Sequence, residues 1–214
     1  MDAITKALFD YRAAITPLAA SSETNEPTYY PAHQNLLSAL LRARDLPFEV
    51  RVNTSQRRDS GGADQPDLAF YDGGDFVVVL GEVKLPHVDL AELARSSEND
   101  DQIGRYLART GVVLLSNVRS FALLGVAPGW TAAGPVPPGS RRLLEVVDLW
   151  PSASAFAQGK PLADGTAQQL ADLVDTAVTE FATISEPASL AKVLARQARR
   201  AKATLPPKFR QEHT

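Results

Sequence analysis

The chain has no cysteine, which excludes disulfide frameworks and thiolate metal sites and fits a reducing compartment, so a cytoplasmic location is expected. It also lacks any stretch near the roughly 18 uninterrupted apolar residues of a membrane span, so no membrane partner is expected. The opening MDAITKALFDYRAAITPLAA carries acids at Asp2 and Asp10 and has no long apolar core, so it does not read as a secretory signal. Histidine is scarce. His33, His87 and His213 fall at no metal-ligand spacing, and His87 reads as a surface residue. Net positive charge is missing too: a formal −3 argues against a generic basic coat for nucleic acid. Gly61-Gly62 lacks a Walker-type lysine and a following helix, and Asp72-Gly73-Gly74-Asp75 is too short for a calcium loop and reads as a turn.

What remains is an ordinary globular composition. The 214 residues, 44% hydrophobic and 22% charged, suffice for one substantial domain with its own core. Charge is unevenly spread. From Ser185 to Thr214 seven Lys and Arg face two acids, a net +5, which leaves −8 on the rest. We therefore expect a domain over 1–184 and a basic helical arm over 185–214 that can couple to a further domain or face DNA.

Apolar spacing predicts a helix over 2–20 capped by Asp2, and a second over 28–44 with Pro31 in its first turn. FEVRVN (48–53) alternates as a strand does, and SQRRDSGGADQ (55–65) reads as a mobile polar loop. Strands at 67–71 and 75–85 flank the turn 72–74 as a hairpin. A helix over 88–109, interrupted near 96–99, comes next, then strands at 111–117, 120–126 and 142–150. The segment 127–140 is a Pro/Gly loop, and helices at 164–183 and 187–203 follow. This order, α, α, β, β, β, α, β, β, β, α, α, describes an α/β sandwich with a central mixed sheet flanked by helices.

The chemistry concentrates in PDLAFYDGGDFVVVLGEVKLP (66–86). Residues two apart on a strand share a face, so Glu82 and Lys84 project together, and the hairpin brings Asp67 beside them. Charges on an inner strand demand a partner or a ligand. Two carboxylates from adjacent strands suit a hard divalent cation that keeps several waters and accepts a phosphate oxygen. A neighbouring lysine can orient or deprotonate a water and offset charge on a phosphorane. A surface hairpin with Lys84 paired to Glu82 or Asp67 is the plainer alternative.

Pro66-Asp67 and Glu82-Val83-Lys84, 14 residues apart, resemble the PD-(D/E)XK nuclease superfamily. Gln102-Ile103-Gly104-Arg105-Tyr106 resembles the Q-x-x-x-Y element of its Mrr- and RecB-like branches, and i,i+4 spacing puts Gln102 and Tyr106 on one helix face. Glu26-Pro27-Thr28-Tyr29-Tyr30 and Ser116-Asn117-Val118-Arg119-Ser120-Phe121 are similar to segments of the N-terminal nuclease domains of single-chain type ISP and type IIG restriction–modification enzymes. Where that family often has Tyr-Arg, this chain has Tyr29-Tyr30.

The resemblance implies a restriction-endonuclease-like α/β fold and a Mg²⁺-dependent DNA endonuclease, with Mn²⁺ able to substitute, acting in restriction–modification or phage defence. It implies metal ligands Asp67, Glu82 and the Val83 carbonyl, with Lys84, Gln102, Tyr106 and Glu26 completing the catalytic set. Its implied partners are DNA and further methyltransferase or translocase domains, with dimerisation for double-strand cutting. Two other readings stand beside it: a non-catalytic nuclease-fold module for DNA binding or assembly, and a stand-alone resolvase or repair nuclease.

Overall fold

In the computed structural model the described residues are 1–179, apart from 20, 22–23, 54–55, 58–62, 73, 75, 97–99, 131–133 and 163–164. They belong to one compact unit, Met1–Ala182. The expected arm over 185–214, with its helix at 187–203, lies outside the described residues.

Helix α1 (Ala3–Ala19) starts where Asp2 accepts the Thr5 N–H at 2.8 Å, and it buries Leu8, Tyr11 and Ile15. Helix α2 spans Glu26–Ala43 and so begins two residues before the expected start. The Thr28 hydroxyl donates to the Asn25 side chain at 2.8 Å and accepts the Asn25 N–H at 3.4 Å, which sets the earlier boundary. Pro27 takes the first turn, where a missing N–H costs nothing, and Pro31 lies inside the helix rather than at its start. Both prolines are exposed, so water can satisfy the carbonyl that Pro31 leaves unbonded.

The strands are β1 (Glu49–Val52), β2 (Gln56–Arg57), β3 (Ala63–Asp64), β4 (Leu68–Tyr71), β5 (Val77–Val83), β6 (Val112–Ser116), β7 (Ser120–Val126) and β8 (Arg141–Asp148). Six of them form one sheet in the order β1-β4-β5-β6-β7-β8. Only β5 and β6 run parallel; every other neighbouring pair is antiparallel. The segment expected as a loop at 55–65 instead contains the small β2–β3 ladder, with Gln56 opposite Asp64. The crossover between β5 and β6 carries two helices, α3 (Leu90–Arg95) and α4 (Asp100–Thr110), separated at Ser96. A short helix α5 (Ala153–Ala157), not foreseen from the sequence, precedes α6 (Thr166–Thr179).

Strand alternation divides the core into two layers. Leu68, Phe70, Leu114, Phe121 and Leu123 pack with α1, α2 and α6 on one face. Ala69, Tyr71, Leu80, Val113, Leu115 and Leu124 pack with α3 and α4 on the other. Phe70 faces Val79 while Tyr71 faces Val77, so Val78 is an extra, bulged residue, and Val78 and Val79 both fall in the first layer. Beyond this bulge β5 keeps strict alternation to its carboxyl end. No helix among the described residues is long and apolar enough to cross a membrane.

Candidate active site

The β4–β5 register pairs Leu68 with Gly81, and one step further sets Asp67 opposite Glu82. Gly81 makes this approach possible: a Cβ there would sit 3.0 Å from the Leu68 Cβ and 3.3 Å from the Leu114 carbonyl oxygen. Two like charges across a strand pair are destabilising unless compensated, and both are nearly buried, Asp67 at 8% and Glu82 at 6% exposure. The compensation comes from both faces of the sheet.

From one face, α2 supplies Glu26 and Tyr30, one helical turn apart. The Tyr30 hydroxyl donates to Asp67 Oδ1, and the Val83 N–H donates to Asp67 Oδ2 at 2.8 Å. From the other face, α4 supplies Gln102 and Tyr106 at the same i,i+4 spacing. The Gln102 amide donates to Tyr106 Oη at 2.6 Å and reaches Glu82 Oε2 at 3.4 Å. Lys84 lies between the acids, its Nζ 2.7 Å from Glu82 Oε1 and 3.4 Å from Glu26 Oε2. Asp67, Glu82, Lys84, Gln102, Tyr106 and Glu26, the six side chains singled out in the sequence, thus meet in one cluster. His87 is exposed and makes no part of it.

Tyr30 was not singled out, and it touches the site as closely as any residue that was. Its signal was present: Glu26-x-x-x-Tyr30 repeats the spacing of Gln102-x-x-x-Tyr106. A second unforeseen contact braces α4. Arg105 grips the Asp64 carboxylate with Nε at 3.1 and 3.2 Å and Nη2 at 2.8 Å, tying the β2–β3 ladder to the helix that carries Gln102.

Burial pushes the Glu82 carboxyl up to about 7, and the Asp67 charge opposite adds to the rise, against the pull of Lys84. Burial raises Asp67 as well, opposed by its bonds from Tyr30 and Val83. For Lys84, burial alone would lower the pKa, but Glu82, Glu26 and Asp67 together lift it, so the group stays an ammonium. Burial raises the phenols of Tyr30 and Tyr106 above their ordinary range, so both stay neutral, Tyr30 as a donor to Asp67 and Tyr106 as the acceptor of the Gln102 amide.

Among the described residues no three His, Cys, Asp or Glu side chains make a ready metal group. The donor chemistry nevertheless fits Mg²⁺, which uses one or two carboxylates plus waters and substrate phosphates rather than a full protein cage. A cation between Asp67 and Glu82 would offset the burial of both charges and the Asp67 repulsion that adds to the rise at Glu82.

The sheet order with a single parallel pair and the helices on both faces define a restriction-endonuclease-like α/β fold. Among solved structures, the chain is similar to that of the DrdV–DNA complex, determined by cryo-electron microscopy: 18% identity and a TM-score of 0.50, covering 84% of this chain and 98% of that one. It also matches the type IIG restriction endonuclease BpuSI at 15% identity and a TM-score of 0.47, covering 82% of this chain but only 19% of that enzyme. No protein-family model and no curated protein matches the sequence.

Proposed function

We propose that the chain is a Mg²⁺-dependent DNA endonuclease domain that hydrolyses phosphodiester bonds, serving restriction–modification or another form of phage defence. One observation carries the reading: two nearly buried carboxylates face each other across a hairpin, with a lysine held beside them by Glu82 and Glu26. A surface hairpin would leave such charges in water. The likeness to a DNA-bound structure and the resemblance of the motifs to type IIG enzymes support DNA as substrate.

Asp67, Glu82 and the Val83 carbonyl would hold the cation, which when bound polarises the phosphoryl group and lowers the pKa of water. Lys84, kept as an ammonium by its neighbours, donates rather than accepts. Two of its hydrogens face Glu82 and Glu26, and the third can orient the attacking water while the charge opposes that developing on phosphorus. Tyr30 and Gln102 hold the two carboxylates in place, so neither must reorient as the reaction proceeds. Mn²⁺ should replace Mg²⁺, because both take hard oxygen ligands.

The test is cleavage of supercoiled plasmid with Mg²⁺ or Mn²⁺, by this chain and by any longer native chain that contains it. Lys84→Ala should keep the fold and lower the rate about 100- to 1000-fold, as loss of one preorganised electrostatic contact does. Undiminished cutting by both Lys84→Ala and Glu82→Ala would overturn the mechanism.

A further inference from the structure

The turn between β6 and β7, Ser116–Ser120, has no part in the chemistry above, yet it is bonded to the segment that leaves the Glu82-Val83-Lys84 strand. The Lys84 N–H donates to the Ser116 carbonyl at 2.7 Å. Arg119 Nε donates to the Pro86 carbonyl at 2.9 Å, and Asn117 Nδ2 to the Val88 carbonyl at 2.6 Å. Residues 84, 86 and 88 are thus tied at every second position, although β5 has ended at Val83. Two side chains continue the ladder that the backbone of β6 can no longer supply.

The turn is held in an unusual shape to do this. Val118 has φ +72°, a conformation that β-branched residues rarely adopt, and it is fully buried. Its carbonyl accepts the Tyr11 hydroxyl at 2.9 Å, and its N–H donates to Ser116 Oγ at 3.1 Å. Ser116 Oγ lies 2.8 Å from His33 Nε2, and His33 Nδ1 lies 3.0 Å from the Tyr29 carbonyl. A carbonyl only accepts, so Nδ1 carries the ring hydrogen and Nε2 accepts from the serine. Burial keeps this imidazole neutral, with its pKa lowered to about 4. Helix α2 is therefore anchored to the turn through His33, three residues beyond Tyr30.

We infer that Asn117 and Arg119 are positioning residues for Lys84: the left-handed turn that carries them fixes the backbone of residues 84–88, and through it the direction of the ammonium. The role of that ammonium in cutting rests on the nuclease reading; the tether does not. The Arg119 backbone carbonyl, which accepts the N–H groups of Leu149 and Trp150, is untouched by side-chain substitution, and only the longer Nη1 contacts, to the Ser120 hydroxyl at 3.3 Å and the Trp150 carbonyl at 3.5 Å, are lost with the Pro86 bond.

The experiment is a carbon-13 spectrum of lysine-labelled chain, with the Lys84 Cε signal assigned from Lys84→Met. Arg119→Ala should move that signal toward those of exposed lysines, and Arg119→Lys, which can still donate to Pro86, should return it part of the way. In plasmid cleavage Arg119→Ala should lower kcat by up to about 100-fold, as a small misplacement of a reacting group does, with KM unchanged. Asn117→Ala, which releases Val88, gives the same readout should Arg119→Ala not fold. An unmoved Lys84 signal in the folded variants would overturn the inference. Failure of both this chain and any longer native chain that contains it to cut DNA, while the signal still moves, would refute the nuclease reading and leave the tether standing.

Discussion

Glu82→Gln should steepen the rise of stability with pH. Burial and Asp67 raise Glu82 from 4.5 to about 7, so between these values the folded chain keeps a proton that the unfolded chain has released. Stability therefore falls as pH rises through that window, by about 3 kcal/mol at roughly 1.36 kcal/mol per pH unit. His33 acts in the opposite sense. Burial lowers it from 6.5 to about 4, so below 6.5 the unfolded chain binds a proton that the folded chain refuses. Its contribution rises with pH across that window by about the same 3 kcal/mol. The two slopes oppose each other between about 4.5 and 6.5. Glutamine at 82 removes one slope and exposes the other. Lys84 keeps Glu26 and Asp67 beside it in the variant, and both raise its pKa against burial. The assay is urea unfolding with EDTA present, at acid and at mildly alkaline pH, for parent and variant. The variant should gain about 3 kcal/mol on the parent across the range. Parallel curves would refute the electrostatics assigned to the cluster.

Tyr30→Phe removes the donor on Asp67 Oδ1 and should weaken Mn²⁺ binding about 10- to 100-fold by calorimetry while the fold persists; equal affinity would remove Tyr30 from the site. Gly104→Ala places a Cβ 2.7 Å from the Val136 carbonyl oxygen, so the urea midpoint should fall by the equivalent of about 1–3 kcal/mol, and an unchanged midpoint would show that residue 136 yields freely. With −8 on residues 1–184, this chain alone should bind random duplex weakly and lose affinity steeply as salt rises; tight, sequence-specific binding at physiological salt would place the recognition element within these residues.

The parts of the fold that were legible are those with a clear period or a clear turn. SFALLGV (120–126) was read to the residue, because a polar turn and a Pro/Gly loop bound a purely apolar run. The hairpin around 72–74 is legible, but its register is not: a three-residue turn would set Asp67 opposite Val79, and the pairing of Tyr71 with Val77 and the bulge at Val78 bring Glu82 there instead. Helix α2 starts earlier than Pro31 and the apolar stripe suggest, because its start depends on a side-chain exchange between Asn25 and Thr28. Strands β2 and β3 have two residues each, too few to show alternation. Tyr30 went unread because its partner, Asp67, is 37 residues away, and only the packing of α2 across the sheet joins them.

That two-sided assembly also fixes when the cluster can exist. Glu26 and Tyr30 leave the ribosome long before the acids and lysine they hold, and Gln102 and Tyr106 come after all of them. A nascent chain that stops anywhere short of Tyr106 has exposed carboxylates and no finished centre. Interrupted synthesis therefore yields a chain whose acids lack the α4 half of their support, and the cluster is complete only when both helices have been made and docked.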